Sequence, residues 1–285
     1  MKIFASAGAL VLALWSSTSC ATVDPPASRP AEKSPPSESQ AAQAGEEPVM
    51  VIPTAAPAPG VTVRVGGDTE AQIRSKDGEF FYKSLVIDTP LPEGYPDPTP
   101  PGSIDLKTYP AVRRAEYRGT GKSESGMDSA FWPLFNHIKS RDIAMTSPVE
   151  MDYHDVESSA SPDTRDWTMS FLYRTTNQAP TGEDGTVIVR DAAPVTVLSM
   201  GVKGNYGMDK ARPAMEKMEE WLAANPSWKA AGSWRSLYYN GPKLMWWNKW
   251  SEIQIPVVRV DGGESEPVKT AQETPVSGSP ADATR

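Results

Sequence analysis

Cysteine is nearly missing from these 285 residues. Cys20 stands alone, so no disulfide can form within the chain and the fold has to be held by packing. Histidine is almost as scarce: His137 and His154 are the only two, and neither sits at metal-ligand spacing or beside an obvious serine or aspartate relay, which argues against a structural zinc site and against triad-type hydrolysis. A membrane-spanning run is lacking too. The apolar stretch Ile3 to Trp15 has 13 residues, where a spanning helix needs about 20. Nor is there a basic excess. The net charge is −8, and Ser103 to Asp261 holds 19 basic against 20 acidic residues, a balance of −1, so the acidity sits in the flanks and no electrostatic footprint for nucleic acid is present. Gly119-Thr120-Gly121-Lys122 lacks the spacing of a phosphate-cradling loop. Glu219-Glu220 reads as a solvated helix face.

Proline, by contrast, is plentiful and uneven. Fifteen of the 28 lie between Asp24 and Pro101. The stretch 21–60 is Pro, Ala, Ser and Glu with few large apolar residues, too little to offset the entropy of ordering it, and reads as a disordered tether; the tail 262–285 has the same character. Lys2, the apolar run and the small polar residues up to Cys20 form the pattern of an export signal over 1–20. Two readings of its end stay open. Ser17-Thr18-Ser19-Cys20 resembles a bacterial lipobox, with Cys20 the lipidated first residue of the mature chain and Ser17 where leucine is usual; or an ordinary signal is cut near Ala21 and Cys20 is discarded. Either way the chain is expected to be exported to a bacterial cell envelope, through its lipid to a membrane if Cys20 is modified.

The remainder has periodicity. Val61–Val65 and Phe80–Ile87 read as short strands, followed by a second Pro-rich link, so 61–102 is either an added sheet edge or a separate hairpin. Within 103–261 two halves echo each other. Phe131, Leu134, Phe135 and Ile138 fall at helical spacing, with Asp128 or Ser129 as the cap and Pro133 in the first turn. Ala211, Ala214, Met215, Met218 and Leu222 make a second stripe. Gly126-Met127-Asp128 and Gly207-Met208-Asp209 stand 81 residues apart, each before a proline. Strands are expected around each helix, Ile143 to Val149 and Trp167 to Tyr173 among them. The fold class is α+β: duplicated β-α-β-β units packed into a distorted antiparallel barrel flanked by two helices.

Ile143-Ala144-Met145-Thr146-Ser147-Pro148-Val149 closely resembles the IAMT-[AS]-PV segment of the SOUL haem-binding family, with a Tyr109-Pro110 step and an F-x-x-L-F-x-x-I helix upstream. The resemblance spans roughly Ser103 to Val260. It implies the duplicated fold, shared with the drug-sensing effector-binding domains of bacterial regulators, and non-covalent binding of haem or another tetrapyrrole in a groove beside a helix, as a carrier or buffer without catalytic residues.

Against that expectation the candidate ligand residues are His137, Met145, Trp246, Trp247, Trp250 and Glu252. His137 is either an axial haem ligand or a half-exposed helix residue; His154 is a surface residue by default. Met145 and Met151 offer thioethers but suit core filling better. Six of the nine tryptophans fall between Trp221 and Trp250, and alternation keeps them from all facing one core, so some are expected to line a groove for a flat ligand. Glu252 matches a glutamate that lies in the pocket of effector-binding domains. Among aromatic rings it would attract an amphipathic cation and have its own pKa raised, giving a second reading of the pocket, with a small-molecule enzyme using Glu252 as a third.

Overall fold

The structure is a computed structural model and describes residues 52–160, 166–241 and 243–260. The expected export signal, Cys20, residues 21–51 of the tether and the tail lie outside the described residues. Strands β1 (Thr62–Gly67), β2 (Arg74–Lys76), β3 (Glu79–Tyr82), β4 (Leu85–Ile87), β5 (Ser103–Tyr109) and β6 (Val112–Thr120) precede helix α1 (Ser123–Ser140). Strands β7 (Val149–Tyr153), β8 (Asp166–Leu172), β9 (Gly182–Asp184), β10 (Val187–Ala192) and β11 (Val195–Lys203) lead to α2 (Met208–Ala224), and β12 (Trp228–Ala230), β13 (Arg235–Tyr238) and β14 (Trp250–Arg259) follow.

The α+β class holds, with one large antiparallel sheet and two helices. Its order is β1-β5-β11-β14-β13-β7-β8-β6-β10-β9, with β12 added beside β14, while β2-β3-β4 form a separate small sheet. Each helix has one strand before it and two principal strands after it, and the order mirrors about the β13–β7 pair: β11-β14-β13 on one side, β7-β8-β6 on the other. The strand before each half, β5 or β10, pairs with the opposite half, on β11 and β6. The expected barrel does not form. β1 and β9 end the sheet unpaired with each other, and β9, three exposed residues with no apolar side chain, offers little to bury across a seam.

One face carries the apolar half of each strand's alternation. Leu106, Leu198, Met200, Ile253, Ile255, Met151, Met169 and Phe171 pack there against Ala130, Leu134 and Ile138 of α1 and Ala211, Ala214, Met215 and Met218 of α2. The α2 stripe gains Trp221, whose Nε1 donates to Val65 O at 2.9 Å. Trp167 fills the junction of β6, β8 and α1. A Cβ on Gly119 or Gly126 would lie 2.1 Å from its ring, so both positions exclude a side chain.

Four local expectations need correction. α1 starts at Ser123 without a side-chain cap, so Pro133 lies deep inside it and not in its first turn; Gly126 is inside α1 while Gly207 is the N-cap of α2, so the two Gly-Met-Asp copies take different places. Residues 143–148 are loop and the strand starts only at Val149. Their polar groups are satisfied by other parts of the chain: Ser147 N–H donates to Pro90 O at 2.9 Å, Ser147 Oγ to Thr89 O at 3.0 Å and Thr146 Oγ1 to Leu172 O at 2.5 Å. Glu219 is not a solvated face residue; its Oε1 accepts from Ser159 N at 2.7 Å and its Oε2 from the Ser159 hydroxyl.

The other face is covered by the second Pro-rich stretch. Residues 61–102 extend the main sheet through β1 on β5, while β2-β3-β4 form a second small sheet, Phe80–Ile87 splitting into two strands at Lys83, and its Phe80, Tyr82, Leu85 and Ile87 pack with Tyr109, Val197, Leu237 and Trp250 of the main sheet. The chain then crosses the sheet as a strap, with Leu91, Pro92, Pro96, Pro98, Thr99 and Pro100 buried. Its prolines have no N–H to leave unsatisfied and lose little freedom on ordering. Where it crosses β11, a Cβ on Gly201 would lie 2.3 Å from both Thr99 O and Pro100 O. Upstream, Gly60 N–H bonds Thr108 O at 2.8 Å and Arg259 Nη1 bonds Pro53 O at 3.3 Å.

Candidate functional site

α1 places three aromatic rings in a row. Phe131 and Phe135 stack at 5.7 Å and 12°, one turn apart, and Trp132 stands edge-on to both, at 5.5 and 6.0 Å. Phe131 and Phe135 are half-buried against the core while Trp132 is 60% exposed, so the helix presents an aromatic ledge with the Trp132 ring standing out from it. Exposed Lys139 and partly exposed Arg141 follow at its C-terminal end. Met145, half-buried in the loop beyond, packs against the core below.

Beside the ledge, Pro133, Asn136, His137 and Ser140 of α1 and Asp184 to Val187 of the β9–β10 turn line an open depression of about 390 Å³. His137 is buried at its floor. Its Nδ1 pairs with Asp184 Oδ2 at 2.6 Å and its Nε2 with the Tyr173 hydroxyl at 2.9 Å. Arg141 Nη2 reaches the same Asp184 oxygen at 2.9 Å. The His137 hydrogen bond, with Arg141 assisting, holds the Asp184 carboxyl below its ordinary range, and burial pushes the Tyr173 phenol up. Nδ1 faces the carboxylate and Nε2 points inward to Tyr173. His154 is likewise engaged, its Nε2 at 2.8 Å from Thr168 Oγ1.

Under the strap lies a set that periodicity alone does not reveal. Asp105 and Lys107 of β5, Ser199 of β11, Glu252 and Gln254 of β14, Arg235 of β13, Glu150 and Asp152 of β7, and Arg114 and Glu116 of β6 share one face across six strands. Glu252 is fully buried. Its Oε1 accepts from Thr99 N at 2.7 Å, Lys107 Nζ at 3.0 Å and Tyr239 Oη at 2.7 Å, and its Oε2 from Ser199 Oγ at 2.5 Å and Gln254 Nε2 at 2.7 Å. The carboxyl pKa moves opposite to the expected way: burial raises it, but the Lys107 charge and the bonds from Ser199, Tyr239 and Thr99 outweigh that and leave it lowered. Trp250, two residues earlier on the same face, is also fully buried and donates through Nε1 to Thr99 O at 2.8 Å. Farther along, Arg114 pairs with Glu116 and Glu150, and Arg235 with Glu150 at 3.4 Å. Burial would raise Glu150, but these two arginines hold it down. Asp152, 20% exposed, is pushed up to about 7 by burial and the Glu150 charge.

Trp246 and Trp247 lie elsewhere, on a single 3₁₀ turn (Trp246–Asn248) of the β13–β14 loop, edge to face with each other at 5.5 Å. The six candidate ligand residues therefore do not converge. His137 and Met145 flank α1, Trp250 and Glu252 are enclosed beneath the strap, and Trp246 and Trp247 face solvent. Met151 is core.

The sequence profile of the SOUL heme-binding protein family matches residues 94–256. The chain belongs to that family. The matched region begins inside the strap, at Gly94, so the SOUL domain includes residues that the motif alone did not reach. No curated protein matches the chain. Among solved structures, the C-terminal domain of EcmrR is 21% identical, with 55% of this chain and 98% of that one covered at a TM-score of 0.43; in EcmrR bound to DNA the values are 20%, 55%, 57% and 0.46, so the SOUL chain spans a little over half of that protein. The crystal structure of a hydrolase from Listeria innocua is 12% identical, with 57% of this chain and 94% of that one covered at a TM-score of 0.44.

Proposed function

We propose that this chain binds haem or a related tetrapyrrole without a covalent bond, as an exported carrier or buffer, and that the ring lies on the α1 ledge and not on a histidine. Membership of the SOUL heme-binding family carries the reading. The residues at α1 suit a flat ligand with an anionic edge: Phe131, Trp132 and Phe135 offer aromatic surface, and exposed Lys139 stands at the end of the same helix for a carboxylate, beside the Arg141 that Asp184 already holds. Both ring nitrogens of His137 already have partners, so axial ligation would break the bond to Tyr173, and apolar and basic contacts supply the binding instead.

Haemin titrated into the full chain should saturate near one equivalent with a shifted Soret band. Trp132→Ala should weaken it about tenfold, a factor worth about 1.4 kcal/mol, while His137→Ala should leave the band position unchanged. Titration without saturation would end the haem reading, and a Soret shift lost in His137→Ala would move the site to the histidine. Export and lipidation are part of the same proposal. Labelled palmitate fed to expressing bacteria should enter the chain and not its Cys20→Ser variant; labelling absent from both would remove the lipid anchor.

A further inference from the structure

The β13–β14 loop carries the largest exposed apolar side chains of this part of the molecule, and the proposed tetrapyrrole site on α1 does not use them. Leu244, Met245, Trp246 and Trp247 are consecutive and 38, 55, 59 and 44% exposed. The base beneath them is built firmly. Asn240 accepts through Oδ1 from Trp250 N at 2.8 Å and donates through Nδ2 to Val86 O at 2.7 Å, Tyr206 Oη donates to Asn240 O at 2.9 Å, and Gly204 N–H donates to Lys249 O at 3.0 Å. Lys249 stacks over the Tyr206 ring at 4.8 Å. Four large apolar side chains on a pinned turn are held away from the core, where their burial would otherwise stabilise the fold by about 1.5–3 kcal/mol each.

We propose that this tip is a membrane-insertion element that seats the domain on an anionic bilayer surface. Three observations select that occupant. Between Tyr239 and Ser251 there is no acidic residue, and Lys243 and Lys249 flank the apolar four, the pairing of an apolar wedge with lysines that suits a negatively charged headgroup layer. Two of the four are tryptophans, whose amphipathic indoles favour the interface between headgroups and acyl chains. The tip is also too small for a stable protein contact. At about 150–250 Å² per aromatic side chain and roughly half exposure, it offers on the order of 400 Å², half of the ~800 Å² per partner of a standard interface. Among the described residues no helix is long and apolar enough to cross a membrane, so the tip rests in one leaflet and works beside whatever the N-terminus contributes.

The test places a nitroxide at the tip of the full-length chain, using Cys20→Ser to leave Met245→Cys as the only thiol, with Lys229→Cys of β12, beside the far end of β14 and about 25 Å away, as the reference. On vesicles of phosphatidylcholine and phosphatidylglycerol the label at 245 should gain oxygen accessibility and lose accessibility to a polar nickel complex, while the label at 229 stays aqueous. Replacing both Trp246 and Trp247 with Ser in the Cys20→Ser chain should weaken vesicle partition at least tenfold, and 0.5 M salt should weaken the parent severalfold. An aqueous reading at 245 on vesicles that have captured the protein would overturn the proposal, because the N-terminal segment alone would then hold it. So would a double variant that keeps its vesicle partition but loses haemin, since the tip would then be the tetrapyrrole surface.

Discussion

Asp152 shows how much one neighbour decides. It shares the covered face of β7 with Glu150, and Arg114 and Arg235 hold Glu150 ionised. The second carboxylate then faces the first across a desolvated gap and keeps its proton up to about pH 7. The sign follows from linkage. Between the ordinary aspartate range and pH 7 the folded chain holds a proton that the unfolded chain has lost, so this group's contribution to stability falls as pH rises through that window and levels off above it. Asp152→Asn removes the titration. The variant's advantage over the parent should grow between pH 5 and pH 8 by on the order of 2 kcal/mol, read from urea midpoints at the two pH values; equal differences at both would disprove the assignment. Glu252 runs the other way, its depressed pKa adding stability that is lost only as pH falls through the acid range.

At the scale of elements the strap is the part the domain depends on. Gly201→Ala places a methyl group 2.3 Å from two strap carbonyl oxygens, and backbone cannot yield as a side-chain tip can. The strap should lift, with a loss of about 1–3 kcal/mol in line with other overpacked sites and new protease cuts within 89–101; a variant as resistant as the parent would show that the crossing is looser than the geometry requires. This element also marks where sequence reading stopped. The apolar stripe of α2 and the inward face of β8 were legible because alternation and helical spacing report what one face of an element buries. The polar half of the same alternation, Asp105 and Lys107, Arg114 and Glu116, Glu150 and Asp152, reads as solvent-facing, since periodicity cannot distinguish water from a covering segment, and Glu252 stood out only through the family resemblance. Proline density reads as a linker for a similar reason: it reports missing donors, and a strap needs none. The signal that was present is the lone Leu91 and Tyr95 among those prolines, anchors that a mere spacer does not need. At the site, Glu252 and Trp250 could be placed on a strand but not under the strap, and the Asp184 partner of His137 comes from a turn 47 residues away.

Over the whole molecule the mirrored strand order has a further meaning. β5 leaves the first half to pair with β11, and β10 leaves the second to pair with β6. The halves are therefore clasped, each lending an arm to the other, in the way that two separate chains would be in a swapped dimer. A cut in the loop between β8 and β9 would not release two domains; each fragment would carry an orphaned arm and a groove shaped for the other's, so the two pieces are natural candidates for reassembly by fragment complementation.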